Sequence, residues 1–265
     1  MINELKLYAQ RIDKAKYFLL HLVKWDIKFK FRGSKLGILW TILQPLLLTL
    51  IISAVFGFVF HQEMGEYAPY ILSGLLVWDI INAAVVGNSY SFLQAESYIK
   101  QYSHPVVIYP MRAAMVSLVT FFIAFSAFFI WICFLYPQNI PIGAITLPLT
   151  SMIYFVFSWS LSIISSHLHI RFRDYPYVMN LIMQVLWYFS PVFFREEMFA
   201  SNELLYMAFK LNPVTQALEL IREPFFSGRF PSVLTYIYLF VLMIAVAATA
   251  NIINKKCEKN VIFYF

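Results

Sequence analysis

Charged residues, cysteine and glycine are all scarce in this chain of 265 residues, and each shortage excludes a class of protein. Asp, Glu, Lys and Arg together make up 13% of the sequence, whereas soluble globular domains contain about 25%. The two cysteines, Cys133 in an apolar run and Cys257 in a basic tail, form no recognisable disulfide or metal framework. Hydrophobic residues make up 61% of the chain instead, so the composition indicates a membrane protein.

Motifs for nucleotide binding and for catalysis are also absent. The eight glycines include no G-x-x-x-x-G-K-S/T loop, so we expect the chain to hold no ATP, no Mg²⁺ and no other cofactor of its own. The hydrolase pattern G-x-S-x-G and the metalloprotease pattern H-E-x-x-H do not occur either. His167 and His169 would point about 160° apart on a helix, which favours a place at the cytoplasmic end of a span over a metal site.

A cluster of basic residues lies directly before the first uncharged run, which extends over the 23 residues of 38–60. About 20 apolar residues in a helix cross the hydrocarbon core of a bilayer, and a Lys/Arg cluster marks the end that stays in the cytoplasm. The formal net charge of +6 is therefore not a nucleic-acid signal, because nine of the 20 Lys and Arg residues lie in 1–35, beside this span.

The hydropathy pattern predicts an all-α integral membrane protein in which 36–265 forms the transmembrane domain. The six predicted spans are roughly 38–60, 69–91, 111–135, 145–166, 177–194 and 232–253. Sixteen Lys and Arg residues fall in the N-terminal segment, the second and fourth connections and the tail, against four elsewhere. This asymmetry predicts that both termini are cytoplasmic.

The segment 1–35 is predicted to form an amphipathic helix that lies in the membrane surface. Its apolar residues recur at alternating steps of three and four, and its basic residues fall on another side of the helix. The apolar positions are Leu5, Tyr8, Ile12, Ala15, Leu19 and Leu22. Such a helix is either a lipid anchor or a collar that also helps to hold a cytoplasmic partner.

The long apolar connection 195–231 precedes the last predicted span. Asn212 and Pro213 are typical of an N-cap followed by proline at the first helical position, and Pro224 is expected to end that helix. A second short helix is predicted over 196–210, so the two form a re-entrant hairpin that enters from the outer face. Arg222 is expected to pair with Glu219 on the same helix face.

Polar and aromatic residues inside the predicted spans are candidates to line a transport path. They are Gln44, Thr49 and Ser53 on the first span and Trp187 and Tyr188 on the fifth. Polar side chains in a span either face a pore or bond neighbouring helices, and both interpretations stay open here.

Asp79 is the one acid inside a predicted span, and an intramembrane acid is by default a functional hypothesis. It lines a wet path, is protonated, or makes a structural contact with Asn82, which is the interpretation we favour. Gly33 and Gly37 form a G-x-x-x-G pattern at the membrane edge. We interpret it as a turn or helix start in preference to a helix-packing motif.

The stretch 29–60 is similar to the first-span signature of ABC-2 type permeases that export polysaccharides and teichoic acids. That signature is roughly (Y/F)-(R/K)-x-S-x-L-G-x-L-W-x-x-L-x-P. It is filled here by Arg32, Ser34, Leu36, Gly37, Leu39, Trp40, Leu43 and Pro45. Three further stretches, 104–112, 171–194 and 211–228, resemble later segments of the same family, in order and at the expected spacing.

The resemblance implies a homodimer of six-span subunits in the bacterial inner membrane. Two copies of a separate cytoplasmic ABC ATPase bind ATP and Mg²⁺, and this chain is a transport subunit with no enzymatic role. The cargo is a glycan or polyol-phosphate polymer linked to undecaprenyl phosphate or a related lipid, and it crosses through an aromatic-lined channel at the dimer centre.

The resemblance also implies roles for four sets of residues. The cytoplasmic entrance comprises Arg32, Ser34, Lys35 and Trp40, and the path comprises the five span residues named above. The coupling helix that docks on the ATPase lies in 92–105 and presents Gln94, Glu96, Tyr98 and Lys100. The outer gate comprises Asn212, Pro213, Glu219 and Arg222.

Two alternatives remain beside polysaccharide export. An ABC-2 permease for a small hydrophobic drug or lipid would share the fold and have a narrower path. An intramembrane glycan-modifying enzyme, such as an acyltransferase, would need clustered His or acid residues at one depth, and Asp79 alone does not supply them.

Overall fold

The computed structural model describes residues 13–102, 104–195 and 203–265, and every regular element among them is helical. The α-helices are α1 (Lys16–Lys30), α2 (Trp40–Val59), α3 (Met64–Val85), α4 (Ser91–Gln94), α5 (Glu96–Gln101), α6 (Ile108–Leu135), α7 (Ile140–Arg171), α8 (Tyr175–Tyr188), α9 (Glu203–Leu211), α10 (Pro213–Arg222) and α11 (Val233–Cys257). Short 3₁₀ segments cover Gly37–Leu39, Gly87–Tyr90, Pro137–Asn139 and Glu258–Tyr264, and a π-helical turn covers Glu223–Ser227.

Five helical segments of the described chain are long and apolar enough to cross a membrane. They are Gly37–Val59, Met64–Gln94, Ile108–Leu135, Pro137–Arg171 and Val233–Cys257. Each contains one of the predicted spans or nearly all of it. The predicted fifth span, 177–194, corresponds instead to α8, which has 14 residues and then gives way to an irregular segment.

Two predicted spans, 69–91 and 145–166, begin too late, because α3 begins at Met64 and α7 begins at Ile140. Pro69 lies inside α3 and Pro148 lies inside α7. Each of them removes only one backbone donor, and the packing of the long helices tolerates that loss. Pro224 was expected to end a helix, but helical structure continues through it as a π-helical turn to Ser227.

The helix α3 lies at the centre of the bundle and packs against α2, α6, α7 and α10. Most of its side chains are buried in one large apolar core, which also receives residues of α6, α7, α8, α10 and α11. A smaller apolar cluster includes Ala15, Phe92, Tyr109, Val261 and Phe265. Both described chain termini therefore lie at one end of the bundle, here called the proximal end, and the opposite end is called distal.

The helix α1 packs against α6 at the proximal end. The described part of its predicted apolar stripe is buried, because Ala15, Leu19 and Leu22 are each at most 5% exposed. These residues face the protein, which the sequence pattern did not specify. Exposed aromatic residues, Tyr17, Trp25 and Phe29, recur at steps of eight and four on another face of the same helix.

A turn between α1 and α2 contains the two glycines of the G-x-x-x-G pattern. Gly33 has φ +84° and Gly37 has φ +51°, values that glycine adopts without steric cost. The Ser34 hydroxyl accepts a hydrogen bond from the Gly37 amide at 3.2 Å. The prediction of a turn or helix start is confirmed.

Candidate functional site

Arg222, at the end of α10, joins α10 to α3 and to the irregular segment that follows α8. Its Nη1 donates hydrogen bonds to the Tyr70 hydroxyl at 2.8 Å and to the Pro191 carbonyl at 2.7 Å. Its Nη2 donates to the Val192 carbonyl at 3.0 Å, and its Nε donates to the Ser73 hydroxyl at 3.3 Å. The guanidinium also lies 3.6 Å from the centre of the Tyr70 ring, which favours a cation–π contact. The distal half of the bundle is therefore organised around this side chain.

The irregular segment 189–195 is mostly buried, although it makes no regular helix. Two tyrosines of α3 bind its backbone, because the Tyr67 hydroxyl donates to the Phe193 carbonyl at 2.5 Å and the Tyr70 hydroxyl donates to the Phe194 carbonyl at 3.1 Å. Buried backbone groups without partners are costly, and irregular backbone at membrane depth is tolerated only against protein or water. Side chains of α3 and α10 supply the donors that this segment lacks.

Asn212 connects the two short helices α9 and α10 and also reaches the end of α8. Its Oδ1 accepts from the Val214 amide at 2.9 Å, which is the N-cap interaction, and Pro213 follows at the first helical position. Its Nδ2 donates to the Phe189 carbonyl at 2.8 Å and to the Ser190 hydroxyl at 2.9 Å. The prediction of an Asn-Pro helix start is confirmed, while the link to α8 was not predicted.

Gly74 permits the close approach between α3 and the irregular segment. A Cβ added at Gly74 would overlap the Val192 carbonyl oxygen and crowd the Arg222 guanidinium. The neighbouring oxygen belongs to the backbone, so it cannot move aside as a flexible side chain would.

The predicted ion pair between Glu219 and Arg222 is wrong. The Glu219 carboxylate accepts a hydrogen bond from the Thr235 hydroxyl of α11 at 2.7 Å, and no ion pair joins it to Arg222 among the residues that the structure describes. Helical spacing placed the two side chains near each other, but α3 and the irregular segment offer Arg222 more acceptors than one carboxylate does.

A polar cavity of about 420 Å³ lies between α1, α2, α3 and α6, in the proximal half of the bundle. Its wall carries one cation, one acid, two carboxamides and three hydroxyls, together with aromatic rings. The polar residues are Lys30, Thr41, Gln44, Asp79, Asn82, Ser117 and Thr120. A second cavity, of about 170 Å³ between α3, α7, α8 and α10, is almost entirely apolar in its exposed lining. The two cavities therefore differ in chemistry as well as in size.

Asp79 opens into the polar cavity and interrupts a run of buried residues on α3. Within the described residues, no hydrogen bond or ion pair satisfies its carboxylate, and the buried Thr41 hydroxyl on the same wall also lacks a partner. The predicted contact between Asp79 and Asn82 is not formed, although both side chains line the cavity. A buried hydroxyl such as that of Thr41 normally has a partner, and Asp79 is exposed to the cavity, so the cavity indicates a place for water or a ligand.

Lys30 is the last residue of α1 and lines the same cavity as Asp79. Partial burial lowers the pKa of the Lys30 ammonium from its ordinary value, and the charge of Asp79 opposes that change. One turn earlier, the Asp26 carboxylate lies 2.6 Å from the Arg112 guanidinium of α6. Burial raises the pKa of Asp26, and Arg112 counteracts part of that rise. This ion pair, with Arg112 buried, holds α1 against α6.

The residues predicted for the cytoplasmic entrance lie beside the cavity. Arg32, Ser34 and Lys35 are exposed in the turn between α1 and α2. Trp40 begins α2, is 44% exposed and lines the cavity. Their proposed role in cargo entry stays a prediction.

The residues predicted for the translocation path are not brought together within one chain. Gln44 is exposed at the cavity, whereas Thr49 and Ser53 are fully buried on a face of α2. The same face presents Pro45 and Gly57, and α2 packs chiefly on α3, so Thr49 and Ser53 occupy the helix contact. Trp187 packs edge-on against Trp78 at 5.2 Å, while Tyr188 is 61% exposed.

The segment predicted to couple to an ATPase folds as the two short helices α4 and α5 at the proximal end. Gln94 and Lys100 are exposed, and Lys100 pairs with Glu96 at 2.5 Å on the surface. Tyr98 instead packs edge-on against Phe18 of α1 at 5.7 Å. The exposed edge of α4 and α5 is the part available to a partner.

The carboxyl-terminal tail packs on the same proximal surface, a contact that the sequence analysis did not predict. Val261 is buried, and Lys100 lies over the Phe265 ring at 5.5 Å. His167 and His169 are nearby and buried. His167 Nε2 lies 3.2 Å from Asn254 Oδ1, and His169 Nδ1 lies 3.1 Å from the Ser89 hydroxyl. No group of metal-ligating residues occurs in the described part of the chain.

Sequence reasoning missed the tyrosines and the serine of α3 that hold the distal segment. Tyr67, Tyr70 and Ser73 recur at steps of three, so they lie on one helix face. That spacing was available in the sequence and indicates a polar stripe on an otherwise apolar helix. The identity of its partners was not available, because they lie more than 100 residues away along the chain.

The apolar helices and their packing define a multi-pass helical membrane protein. The chain belongs to the ABC-2 type transporter family, which its residues 17–226 match.

Several relatives within this family export polysaccharides. The O-antigen export system permease protein RfbA of Klebsiella pneumoniae is 23% identical over 238 residues, which cover 89% of this chain and 91% of that protein. A protein of the same name from Myxococcus xanthus is 22% identical over 84% of this chain and 85% of its own length. The polysialic acid transport protein KpsM of Escherichia coli is 23% identical over 82% of this chain and 85% of its own length.

Proposed function

We propose that this chain is the permease subunit of an ATP-driven exporter that moves a lipid-linked cell-surface polysaccharide across the bacterial inner membrane. The observation that carries this proposal is the extent of the similarity to O-antigen and polysialic acid permeases, which covers most of both chains. Two features of the structure support the proposal. One is the set of hydrogen bonds that Arg222 makes in the distal half of the bundle, and the other is the exposed edge of α4 and α5 at the proximal end.

We propose that α8 and the irregular segment after it form a sixth crossing. The Tyr175 hydroxyl donates to the Val85 carbonyl at one end of α3, and the Phe193 carbonyl binds Tyr67 at the other end. The helix rises about 27 Å between Tyr67 and Val85, close to the ~30 Å hydrocarbon core. The segment 175–194 therefore runs along nearly the whole of α3.

We propose that α9 and α10 form a re-entrant hairpin, and the contacts of α10 support this. The Ala217 carbonyl of α10 accepts from the Tyr154 hydroxyl at 2.6 Å, and Tyr154 lies near the middle of α7. Val214, near the start of α10, lines the apolar cavity together with Val85, whereas Arg222 at its other end binds the distal part of α3. The joint between α9 and α10 is thus the deep point of the hairpin.

The proximal end is cytoplasmic in this proposal, because the excess of Lys and Arg lies there. The exposed aromatic residues of α1, with Lys28 at 5.9 Å from the Trp25 ring centre, suit a helix in the headgroup region. Two copies of an ABC ATPase then dock on the exposed edge of α4 and α5, below a homodimer of this chain.

The mechanism is positional. Binding of ATP closes the ATPase pair, and the difference in its affinity for two arrangements of the complex supplies the drive. The chain contributes the docking edge, the tie between α1 and α6, the path and the distal hairpin. The exposed apolar faces of α2 and α8, which include Leu47, Ile51, Leu181 and Val185, are the surfaces on which a second subunit would enclose that path.

Substrate stimulation of ATPase activity separates this proposal from export of a small drug or lipid. The permease and its ATPase are co-purified and reconstituted in nanodiscs, then supplied with the host's lipid-linked polysaccharide or with a panel of hydrophobic drugs. We expect at least about a threefold stimulation by the polysaccharide. Stimulation by drugs alone would contradict the proposal and favour the alternative.

The proposed docking of the ATPase on the exposed edge of α4 and α5 is tested by the double variant Gln94→Arg and Lys100→Glu. Both side chains are exposed, so the variant should remain folded in the membrane while losing most of its association with the ATPase in pull-down. Gln138→Arg, an exposed position in the distal turn, is the matched control and should retain association. Normal association in the double variant would place docking on another surface, with α1 the next candidate.

A further inference from the structure

We propose that the polar cavity between α1, α2, α3 and α6 binds one pyranose unit of the transported glycan. This inference rests on the proposed export function, since that function supplies the sugar. All the residues that line the cavity belong to a single chain.

The polar groups of the cavity surround an open space, and no hydrogen bond joins their side chains to one another among the described residues. Among the described residues, Asp79 makes no hydrogen bond or close ion pair, although its charge acts on Lys30, and the buried Thr41 hydroxyl has no hydrogen-bond partner. Gln44 and Asn82 have no side-chain hydrogen bond there either. A carboxylate, two carboxamides and a hydroxyl offer both acceptors and donors at close range. Each of these groups loses water on approach of a ligand and gains only if the ligand replaces those hydrogen bonds.

The chemistry of the wall favours a sugar over a phosphate. A phosphate would bring a second negative charge beside Asp79, and Lys30 is the one cation among the described residues that line the cavity. The polar groups would equally penalise an acyl chain, because their hydrogen bonds would be left unmade. Sugar hydroxyls donate to a carboxylate and accept from carboxamides, so a pyranose satisfies both kinds of group.

The size and the aromatic wall agree with this ligand. The volume of about 420 Å³ lies within the range of about 300–1,000 Å³ that is typical of small-ligand sites. Trp40 lines the cavity and remains 44% exposed, so its ring is available to the apolar C–H face of a sugar. The cavity lies next to the turn 31–36, and this position gives a glycan a route into the cavity from the proximal surface.

The test is a binding measurement on the full-length chain in nanodiscs. The probe is an oligosaccharide of one to two repeat units, released from the host's own surface polymer by mild acid and labelled with tritium. We expect Asp79→Asn to weaken binding at least about tenfold, because hydrogen bonds to a charged acceptor are lost. Gln44→Leu, at an exposed position, should weaken it several-fold without any risk to folding.

Ser126→Ala is the matched control. Ser126 is exposed on α6 outside the cavity and donates to the Ile123 carbonyl of its own helix, so its loss should leave binding unchanged. Equal affinity for the probe in the wild type, Asp79→Asn and Gln44→Leu would overturn the inference. Binding of inorganic pyrophosphate in place of the oligosaccharide, lost in Lys30→Gln, would overturn it as well.

The failure of this inference is distinguishable from a failure of the proposed function. If the wild type does not bind the oligosaccharide but cells lacking the chain lose their surface polymer, the cavity assignment is wrong and the export function stands. If cells lacking the chain keep their surface polymer, both are wrong.

Discussion

Arg222 in the distal half of the bundle and Asp79 in the polar cavity are both charged residues inside the bundle. They differ in the number of hydrogen bonds that the protein offers them. Arg222 donates to carbonyl and hydroxyl oxygens of two segments, α3 and the irregular segment 189–195, and packs on an aromatic ring. Asp79 faces an open space with no hydrogen-bond partner among the described residues. A charge inside a membrane protein is costly unless it is satisfied. The hydrogen-bonded charge of Arg222 therefore explains how the fold is held, and the charge of Asp79, which acts on Lys30 but makes no hydrogen bond among the described residues, indicates where something else binds.

Arg222→Ala should have the largest effect on the folded state. It leaves the Pro191 and Val192 carbonyls without donors, at about 1–3 kcal/mol for each buried group. We expect a loss of at least about 2 kcal/mol in unfolding free energy and little intact protein by size-exclusion chromatography. Arg222→Lys should be intermediate, because one ammonium cannot reach all the acceptors. Wild-type behaviour of Arg222→Lys would mean that the residue only extends to the headgroups.

Asp26→Asn should have the next largest effect, since it removes the partner of the buried Arg112. Breaking a fully buried pair costs about 3–5 kcal/mol, and the partial exposure of Asp26 reduces this to about 1–3 kcal/mol. The measurement is thermal unfolding of the purified chain, with the exposed Asp13→Asn as control. A change no larger than that of the control would show that α1 is held by apolar packing alone.

Glu219→Gln should have a small effect, within about 1 kcal/mol, because an amide oxygen still accepts the hydrogen bond from Thr235. The charge swap of Glu219→Arg with Arg222→Glu should bring no recovery of export relative to Arg222→Glu alone. Export is measured in complemented cells. Recovery of export in the swap variant would support the ion pair that the sequence suggested.

Asp79→Asn should have the smallest effect on stability and is expected to leave it unchanged or slightly raised. The substitution keeps the shape of the side chain and removes a charge that makes no hydrogen bond or close ion pair among the described residues. Thermal unfolding beside Arg222→Ala gives the direct contrast between the two regions. A destabilisation as large as that of Arg222→Ala would mean that Asp79 holds the fold and that the cavity is not a ligand site.

Local sequence features predicted local structure well. The apolar stripe of α1, the turn at Gly33 and Gly37, and the helix start at Asn212 and Pro213 were all recognisable because caps, turns and periodicity act within a few residues. The positions of the long apolar helices followed from hydropathy for the same reason.

Long-range pairings were not predictable in the same way. Arg222 has a carboxylate three residues away, yet it binds oxygens more than 30 residues away along the chain, and neither spacing nor composition ranks those partners. The length of α8 was overestimated because the irregular segment after it is as apolar as a helix, and only the donors of Tyr67 and Tyr70 make that backbone tolerable there. The polar cavity draws on four helices, so no single segment indicated it.

The fate of the polymer in cells that lack this chain tests the central claim most directly. Chromosomal deletion is compared with complementation by the wild type, and surface polysaccharide and intracellular lipid-linked polysaccharide are both quantified. The account predicts loss of the surface polymer, accumulation of lipid-linked polymer on the cytoplasmic side, and recovery of both on complementation. Unchanged surface polymer, or loss of the polymer inside and outside together, would contradict a role in export.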